Sequence, residues 1–522
     1  MTLTRRDALA STAAAATLLL PAGANAADWR RGLDHQRVAD LGGGRFLNPV
    51  MAGDRPDPAI LKDGRDYYLT FSSFDSYPGL VIWHSRDLVN WRPIGPALHR
   101  NIGSVWAVSL EKHDGRYFLY IPVKADPNAI WVIHADRVEG PWSEPIDLKL
   151  PRHIDPCHVV GEDGTRWLFL SGGDRVRLAA DGLSTVGAVE HVYDPWRYPA
   201  DWVVEGFSPE GPKLVRHGGW WYLVTAVGGT AGPPTGHMVI AARARSIDGP
   251  WQDCPHNPLV RTTSAAERWW SRGHASLVEG PAGDWWALYH GYEAGFWTLG
   301  RQTLLDPVEW TADGWFRMTG GDLSQPLASP RGGTAVAHGM ALSDDFATLA
   351  LGTRWSFFRP AADEARRARV GGNTLHLAAR GTAPANSSPL LQIAADQAYR
   401  FECDVEIDAG TTAGLLLFYD DRLYCGLGFD GDRFVTHQYG AERGRPANPH
   451  GRAMRIRVTN DRHIVTYDTS GDGGRTWTRF DRGMEVSGYQ HNVRGGFLML
   501  RPGLYAAGSG EARFRRFTYR AL

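Results

Sequence analysis

One phrase recurs five times in the first 300 residues: a Gly- or Asp-bearing turn followed by paired aromatic or bulky residues. It reads "KDGRDYYLTF", "HDGRYFLYIP", "EDGTRWLFLS", "RHGGWWYLVT" and "PAGDWWALYH". Tyr68, Phe118, Trp167, Trp221 and Trp286 mark the series, at separations of 50, 49, 54 and 65 residues. A turn followed by aromatic and β-branched residues predicts a hairpin strand. A second phrase, "HSRDLVNWRPIG", "RVEGPWSEPI" and "SIDGPWQDCP", lies between some repeats and reads as an outer hairpin or edge strand. A period near 50 fits one four-stranded blade, and five repeats predict a five-bladed β-propeller, closed so that its edges are hidden. The main alternative is a multi-sheet sandwich. No long amphipathic helix interrupts residues 45–315, so a βα barrel, with a helix after every strand, is a poor fit.

After about residue 320 the texture changes. "TGGDLSQPLASPRGGTAVAHG" is rich in Gly, Pro and small residues and reads as a linker. Beyond it, short alternating strands such as "NTLHLAAR", "YRFECDVEI" and "MRIRVTN" predict a two-sheet β-sandwich with one buried face per sheet. The expected organisation is all-β: an export signal over 1–26, a propeller over 27–320, a linker over 321–340 and a sandwich over 341–522.

The chain opens "MTLTRRDALASTAAAATLLLPAGANA". Arg5 and Arg6, a short apolar run and a small-residue stop form a cleavable signal of the twin-arginine type, which implies a periplasmic or secreted protein. The apolar run is too short to span a bilayer, and no cysteine follows it, so no membrane anchor is expected. Lys plus Arg is 56 and Asp plus Glu is 57, a balance that argues against a general grip on nucleic acid. Cys157, Cys254, Cys403 and Cys425 lack zinc-type spacing and read as buried residues, although export would permit a disulfide. Nothing in the sequence specifies an oligomeric state. The 21 Trp, 18 Tyr and 19 Phe suit both the core of a β-protein and the stacking of sugar rings, so composition alone does not separate these roles.

The repeat itself does. Counting back 11 or 12 residues from each aromatic pair gives Asp57, Trp106, Asp155, Glu210 and His274. In a propeller the preceding strand is the innermost one, so these five positions converge on one end of the central tunnel. "RPDPAI", "HIDPCHVV" and "SPEGPKL" each set proline close to the acid, stiffening the backbone that carries it. A lone Asp at a strand start is usually a turn former; three acids in one register form a device. Three carboxylates in one partly enclosed pocket cannot all ionise cheaply, so at least one pKa rises and that group can act as a general acid near neutral pH. Breaking a glycosidic bond needs such an acid, with a second carboxylate on the other face of the sugar. The rival chemistry is a hard cation such as calcium, structural or tuning, near His274; no dense oxygen-rich loop supports it.

The ordered set "NPVMAGDRPDPAILKDGRDYYLTFSSF", "HSRDLVNWRPIG", "SVWAVSLEKHDGRYFLYI", "HIDPCHVVGEDGTRWLF", "PEGPKLVRHGGWWYLVTAVGGT", "GHASLVEGP" and "LGRQTLLDPVEW" resembles glycoside hydrolase family 43 over about residues 45–320. These are five-bladed propeller glycosidases of the β-xylosidase and α-L-arabinofuranosidase type. The region after about 340 resembles the concanavalin-like sandwich that follows the propeller in many members. The resemblance implies an inverting hydrolase that releases terminal xylose or arabinose from plant-type polysaccharides or their oligosaccharides. It makes Asp57 the general base, Glu210 the general acid and Asp155 the third acid, which raises the pKa of Glu210 and orients it. It makes Arg301 a ligand of sugar hydroxyls, places His274 near the axis beside a cation or water, and calls for no cofactor in the chemistry. The family often has Ala-Pro after the aromatic of the second blade, where this chain has Ala107-Val108.

Phe74, Trp106 and His237 are the further expected substrate contacts. Glu205, close to Glu210, is assigned to a loop or the pocket rim because it falls outside the register. Tyr292, Glu293, Phe296 and Trp297 either form a subsite or pack against the second domain, which is expected mainly to brace the propeller. The competing functions are a galactan-directed hydrolase of the same class, a non-catalytic sugar-binding propeller, and an acyl hydrolase. The last is disfavoured because no Gly-x-Ser-x-Gly nucleophile turn is present.

Overall fold

The structure is a computed structural model that describes residues 28–522; the expected export signal lies outside them. Five antiparallel meanders form the first domain. Their innermost strands are Ala59–Asp63, Ser109–His113, Cys157–Val160, Glu210–His217 and Trp269–Glu279. Each of these strands touches the next, and the fifth touches the first, so the ring is closed. The segment before the first blade locks the closure. Val50 N donates to Thr303 O (3.0 Å), Arg55 N to Arg301 O (2.8 Å), and the Asn48 side chain bonds both backbone groups of Leu305.

The repeated phrase folds as its chemistry dictates. In the first, second and fourth blades two residues join the inner strand to the next one: Gly64-Arg65, Asp114-Gly115 and Gly218-Gly219. Asp114, Gly115, Gly218 and Gly219 all have positive φ, the type I′ geometry that matches strand twist. Neighbouring residues on a strand point to opposite faces, which explains why the bulky residues come in pairs. Tyr67 packs into the wedge shared with the fifth blade and Tyr68 into the wedge shared with the second. Tyr117 and Phe118, and then Trp221 and Tyr222, split in the same way between the wedges on either side of their own blades. The propeller core is thus five hydrophobic wedges, one between each pair of adjacent blades.

The C-terminal region is a sandwich of two eight-stranded sheets around one core. Ala398–Ile407 shows the expected alternation: Phe401, Cys403, Val405 and Ile407 are buried, while Glu402, Asp404 and Glu406 face outward to Arg457, Arg455 and Arg515. All four cysteines are free and buried.

The two domains are more entangled than the sequence suggests. A loop strand of the first blade, Ser76–Tyr77, completes the edge of one sandwich sheet by pairing with Ser356–Phe358. The stretch 321–340, read as a linker, runs against the propeller: Leu327–Ala328 pairs with Arg45–Phe46, and Gly339 N donates to Trp91 O. The N-terminal segment, assigned to the propeller, also holds the sandwich, because Asp34 accepts the amides of Leu342 and Ser343 and the Ser343 hydroxyl. Glu293, fully buried, meets Arg37 and Arg268 and accepts a hydrogen bond from Gln397 of the sandwich, and Phe296 packs on His463 at 4.9 Å. Glu293 and Phe296 therefore face the second domain, not a sugar subsite.

Candidate active site

Asp57, Asp155 and Glu210 line one cavity of ≈ 40 Å³ at the end of the tunnel, together with Trp106, His274 and Arg301. The backbone beneath them is strained in a repeated way. Asp57, Asp155 and His274 have φ of 55°, 52° and 59°, a left-handed conformation that side-chain-bearing residues rarely adopt and that concentrates at functional sites. In the fourth blade Glu210 opens the strand and the left-handed residue comes one later, at Gly211 (φ 63°). A bulge between Glu210 and Lys213 absorbs the offset. A side chain at Gly211 would strike the His274 ring, so glycine is needed there on two counts.

The three acids have different surroundings. Asp57 is clamped by Arg301 through paired bonds (Nη1–Oδ1 3.0 Å, Nη2–Oδ2 3.3 Å), and Ser72 Oγ donates to Oδ2 at 2.5 Å. His290 Nδ1 accepts the Asp57 amide at 3.2 Å, and its Nε2 meets Thr230 Oγ1 at 3.1 Å. Burial alone would raise the Asp57 carboxyl; the neighbouring Arg301 guanidinium leads the opposing contacts and the group is held well below the usual carboxylate range. Asp57 is ionised at neutral pH.

Asp155 accepts the Gly211 amide (3.0 Å) and the Ser171 hydroxyl (3.2 Å). Glu210 has no such donors. Ser72 and Ser171 each lie four residues beyond their blade's aromatic marker; in the fourth blade that position is Thr225, whose buried hydroxyl bonds nothing. Burial, then Asp155, then Asp57 push the Glu210 carboxyl well above its ordinary value. Burial and Asp57 also raise Asp155. Two coupled acids sharing a pocket titrate as a pair. The hydrogen bonds to Asp155 stabilise its anion, so the proton the pair retains rests on Glu210. The Glu210 side chain still keeps 21% of its surface open to the cavity, where a substrate oxygen can reach it.

This arrangement costs stability. The folded-state pKa of Glu210 is raised, so the folded chain binds more protons than the unfolded one above pH 4.5, and stability falls as pH rises through the folded value. Glu210→Gln, neutral at every pH, is expected to melt above the parent protein at pH 8 by about 2–4 °C, with the gap closing toward pH 4.5. Melting curves of both proteins across that range check it.

Of the remaining expected contacts, Phe74 and Arg301 line the cavity, and Phe74 is fixed by paired backbone bonds to Val105. His237 is corrected: it is fully buried behind Glu210, with Nε2 3.7 Å from Oε1, and presents no surface to a sugar. Its loop turns inward, and the space for its ring exists because residue 273 is glycine, where any side chain would overlap it. Glu205 is exposed and braces the neighbouring loop by accepting the Ala231 amide.

Ser72, Ser171 and His290 escaped the sequence reading, yet all lie four residues beyond a repeat marker, His290 on the strand next to the inner one and Ser72 and Ser171 just past the end of theirs. The same count applied forward instead of backward finds them. Phe497 also escaped it. This sandwich residue reaches the cavity, meets Trp106 edge-on at 5.7 Å and lies 5.2 Å from the Arg301 guanidinium.

Glu210, His237 and His274 bring ligand atoms within 4.8 Å of one another, and both His237 ring nitrogens and His274 Nε2 are buried without partners. One carboxylate and two imidazoles are a poor match for calcium, which takes six to eight oxygens. This donor set fits a borderline cation better.

Family models match both regions: glycosyl hydrolases family 43 over residues 46–316, and the β-xylosidase C-terminal concanavalin A-like domain over 343–520. A non-reducing end α-L-arabinofuranosidase of Bacteroides ovatus is 31% identical over 60% of this chain and 61% of its own length. A xylan 1,3-β-xylosidase of a Vibrio species is 31% identical over 52% of this chain and 57% of its own. The chain thus spans about three fifths of the length of these curated relatives. Over nearly its full length it superposes on the GH43 BlXynB protein from Bacillus licheniformis, with TM-score 0.82 and 25% identity, covering 92% of this chain and all of that one. The first model alone takes in just over half of the 522 residues and includes the three acids at or just before the starts of their inner strands, and the chain belongs to glycosyl hydrolase family 43.

Proposed function

We propose that this protein hydrolyses the terminal pentose, xylose or arabinose, from xylan- or arabinan-type chains with inversion at the anomeric carbon. The observation that carries this reading is the unequal state of two acids facing one cavity: Asp57 held ionised by Arg301 and Glu210 held protonated by burial and Asp155. Inverting hydrolysis needs one carboxyl in each state.

Glu210 gives its proton to the glycosidic oxygen as the bond from that oxygen to the anomeric carbon breaks. A water attacks the opposite face of the same carbon and passes a proton to Asp57. Asp57 is a weak base, but water adding to an oxocarbenium-like centre becomes acidic as it adds, so an ionised carboxylate in place suffices. Asp155 acts through Glu210, keeping its proton on at neutral pH. Arg301 orients Asp57 and offers donors to sugar hydroxyls. Phe74, Trp106 and Phe497 wall the cavity with aromatic faces on which a sugar ring can stack. Acid and base are both protein carboxylates, so the proposed chemistry calls for no cofactor. The similarity to an α-L-arabinofuranosidase and a xylan 1,3-β-xylosidase supports the pentose assignment.

Proton NMR of aryl β-xyloside and aryl α-L-arabinofuranoside hydrolysis is the test. The sugar first released is expected to carry the anomeric configuration opposite to the substrate, before mutarotation. Retention of configuration would overturn direct attack by water.

A further inference from the structure

A second cavity, of ≈ 70 Å³, lies between the propeller and the sandwich, on the far side of Ser72 and Phe74 from the acids. Its volume exceeds that of the catalytic cavity, but none of the three acids faces it. A single water needs roughly 10–15 Å³ on this measure, so there is room for an ion and some of its hydration.

The polar groups on its wall are unbalanced. Arg55, from the propeller, and Arg501, from the sandwich, are 92% and 95% buried, from residual exposures of 8% and 5%. Arg55 Nε and Arg501 Nε and Nη2 make no hydrogen bond to protein, and neither does Ser73 Oγ on the same wall. Buried guanidinium N–H groups are nearly always paired, and leaving them unmatched is expensive.

The nearby acids do not meet this need. Asp54 spends Oδ1 on the Arg301 amide and forms no ion pair with either arginine. Asp75 is paired with Arg359 at 3.2 Å and Asp420 with Arg494 at 3.3 Å. The third arginine on the wall, Arg354, is satisfied by Asp344 at 2.9 Å. Burial pushes both Arg55 and Arg501 down to about 10, which leaves them charged at neutral pH. Two cations thus face one carboxylate in a compartment whose remaining wall includes Phe71, Trp83, Leu391 and Leu498.

We propose that this inter-domain cavity is a binding site for one small monovalent anion of the halide class, held between the guanidinium groups of Arg55 and Arg501. A halide suits the site because it accepts several N–H donors without a directional demand and tolerates contact with apolar C–H groups. Larger divalent oxyanions need more donors than this wall supplies. The ligands come from both domains, so the bound ion links the propeller to the sandwich. Its cavity shares Ser72 with the site behind it, where that hydroxyl holds Asp57.

The test uses the full chain in sodium gluconate, replaced stepwise by sodium chloride or bromide at constant ionic strength. The melting temperature is expected to rise saturably by about 2 °C, with a midpoint in the millimolar range. Arg501→Met, which keeps the bulk but removes the donors, is expected to abolish that increment. Crystals of the unaltered protein grown in bromide provide a readout that does not depend on a variant folding: an anomalous peak is expected between Arg55 and Arg501. A melting temperature indifferent to halide, an increment that survives in Arg501→Met, or a cavity holding only water in bromide would each overturn the proposal.

Discussion

Glu210→Gln is expected to lower turnover of xylobiose or an unactivated alkyl pentoside by about 10³-fold, while a dinitrophenyl pentoside loses no more than about tenfold. The difference comes from the leaving group. An alkoxide must be protonated as it departs, whereas a dinitrophenolate leaves without help. The pH profile adds a sign. The parent activity should fall on the alkaline side as Glu210, whose pKa is raised by burial and by Asp155, loses its proton. The variant has no proton to lose there, so its alkaline limb should vanish with the activated substrate. Paired kinetic measurements on the two substrate types, across pH, read both effects. Equal losses on both substrates would show that Glu210 serves binding or folding, and unchanged turnover on both would remove it from the chemistry. A non-catalytic sugar-binding propeller predicts no turnover of either substrate by the parent protein.

The sequence exposes the propeller because its physics is periodic. Tyr67 and Tyr68 sit side by side since a blade buries both faces, and the wedge on each side requires a large side chain. Asp114-Gly115 and Gly218-Gly219 are short turns with positive φ, which very few residue types satisfy. Once one blade is placed, counting along the repeat places Asp57, Asp155, Glu210 and His274 at one tunnel end. What was not legible lacks a period. Phe497 comes from a sandwich loop more than 400 residues beyond Asp57, and no pattern in its neighbourhood marks it as part of the cavity. The pairing of Ser76–Tyr77 with Ser356–Phe358 joins two short segments that carry no strand signal of their own; the edge forms because the sandwich sheet has unpaired groups to offer. His237 failed for a different reason. A Gly-rich loop leading into a strand, "GGTAGPPTGHMVIAARA", suggests a pocket contact for substrate, but Gly273 opens an internal slot and the ring fills it.

Asp57→Asn is expected to reduce turnover by about 10³-fold or more on activated and unactivated pentosides alike, because water must attack whichever group leaves. That pattern, uniform across leaving groups, separates a base from an acid within the same cavity. The substitution has a structural cost, since it leaves the buried Arg301 without its counter-ion, and breaking such a pair typically costs about 3–5 kcal/mol. A drop in activity must therefore be read well below the variant's melting temperature, with near-ultraviolet circular dichroism confirming native packing. Ser72→Ala supplies a milder probe. It removes the hydroxyl that donates to Asp57 Oδ2 but leaves Arg301 paired, so the carboxylate loses part of its stabilisation and its pKa rises toward the ordinary range. The acidic limb of kcat/KM should then move to higher pH in Ser72→Ala while the alkaline limb stays in place. A shift of the alkaline limb instead, or full turnover in Asp57→Asn, would take Asp57 out of the path of the attacking water.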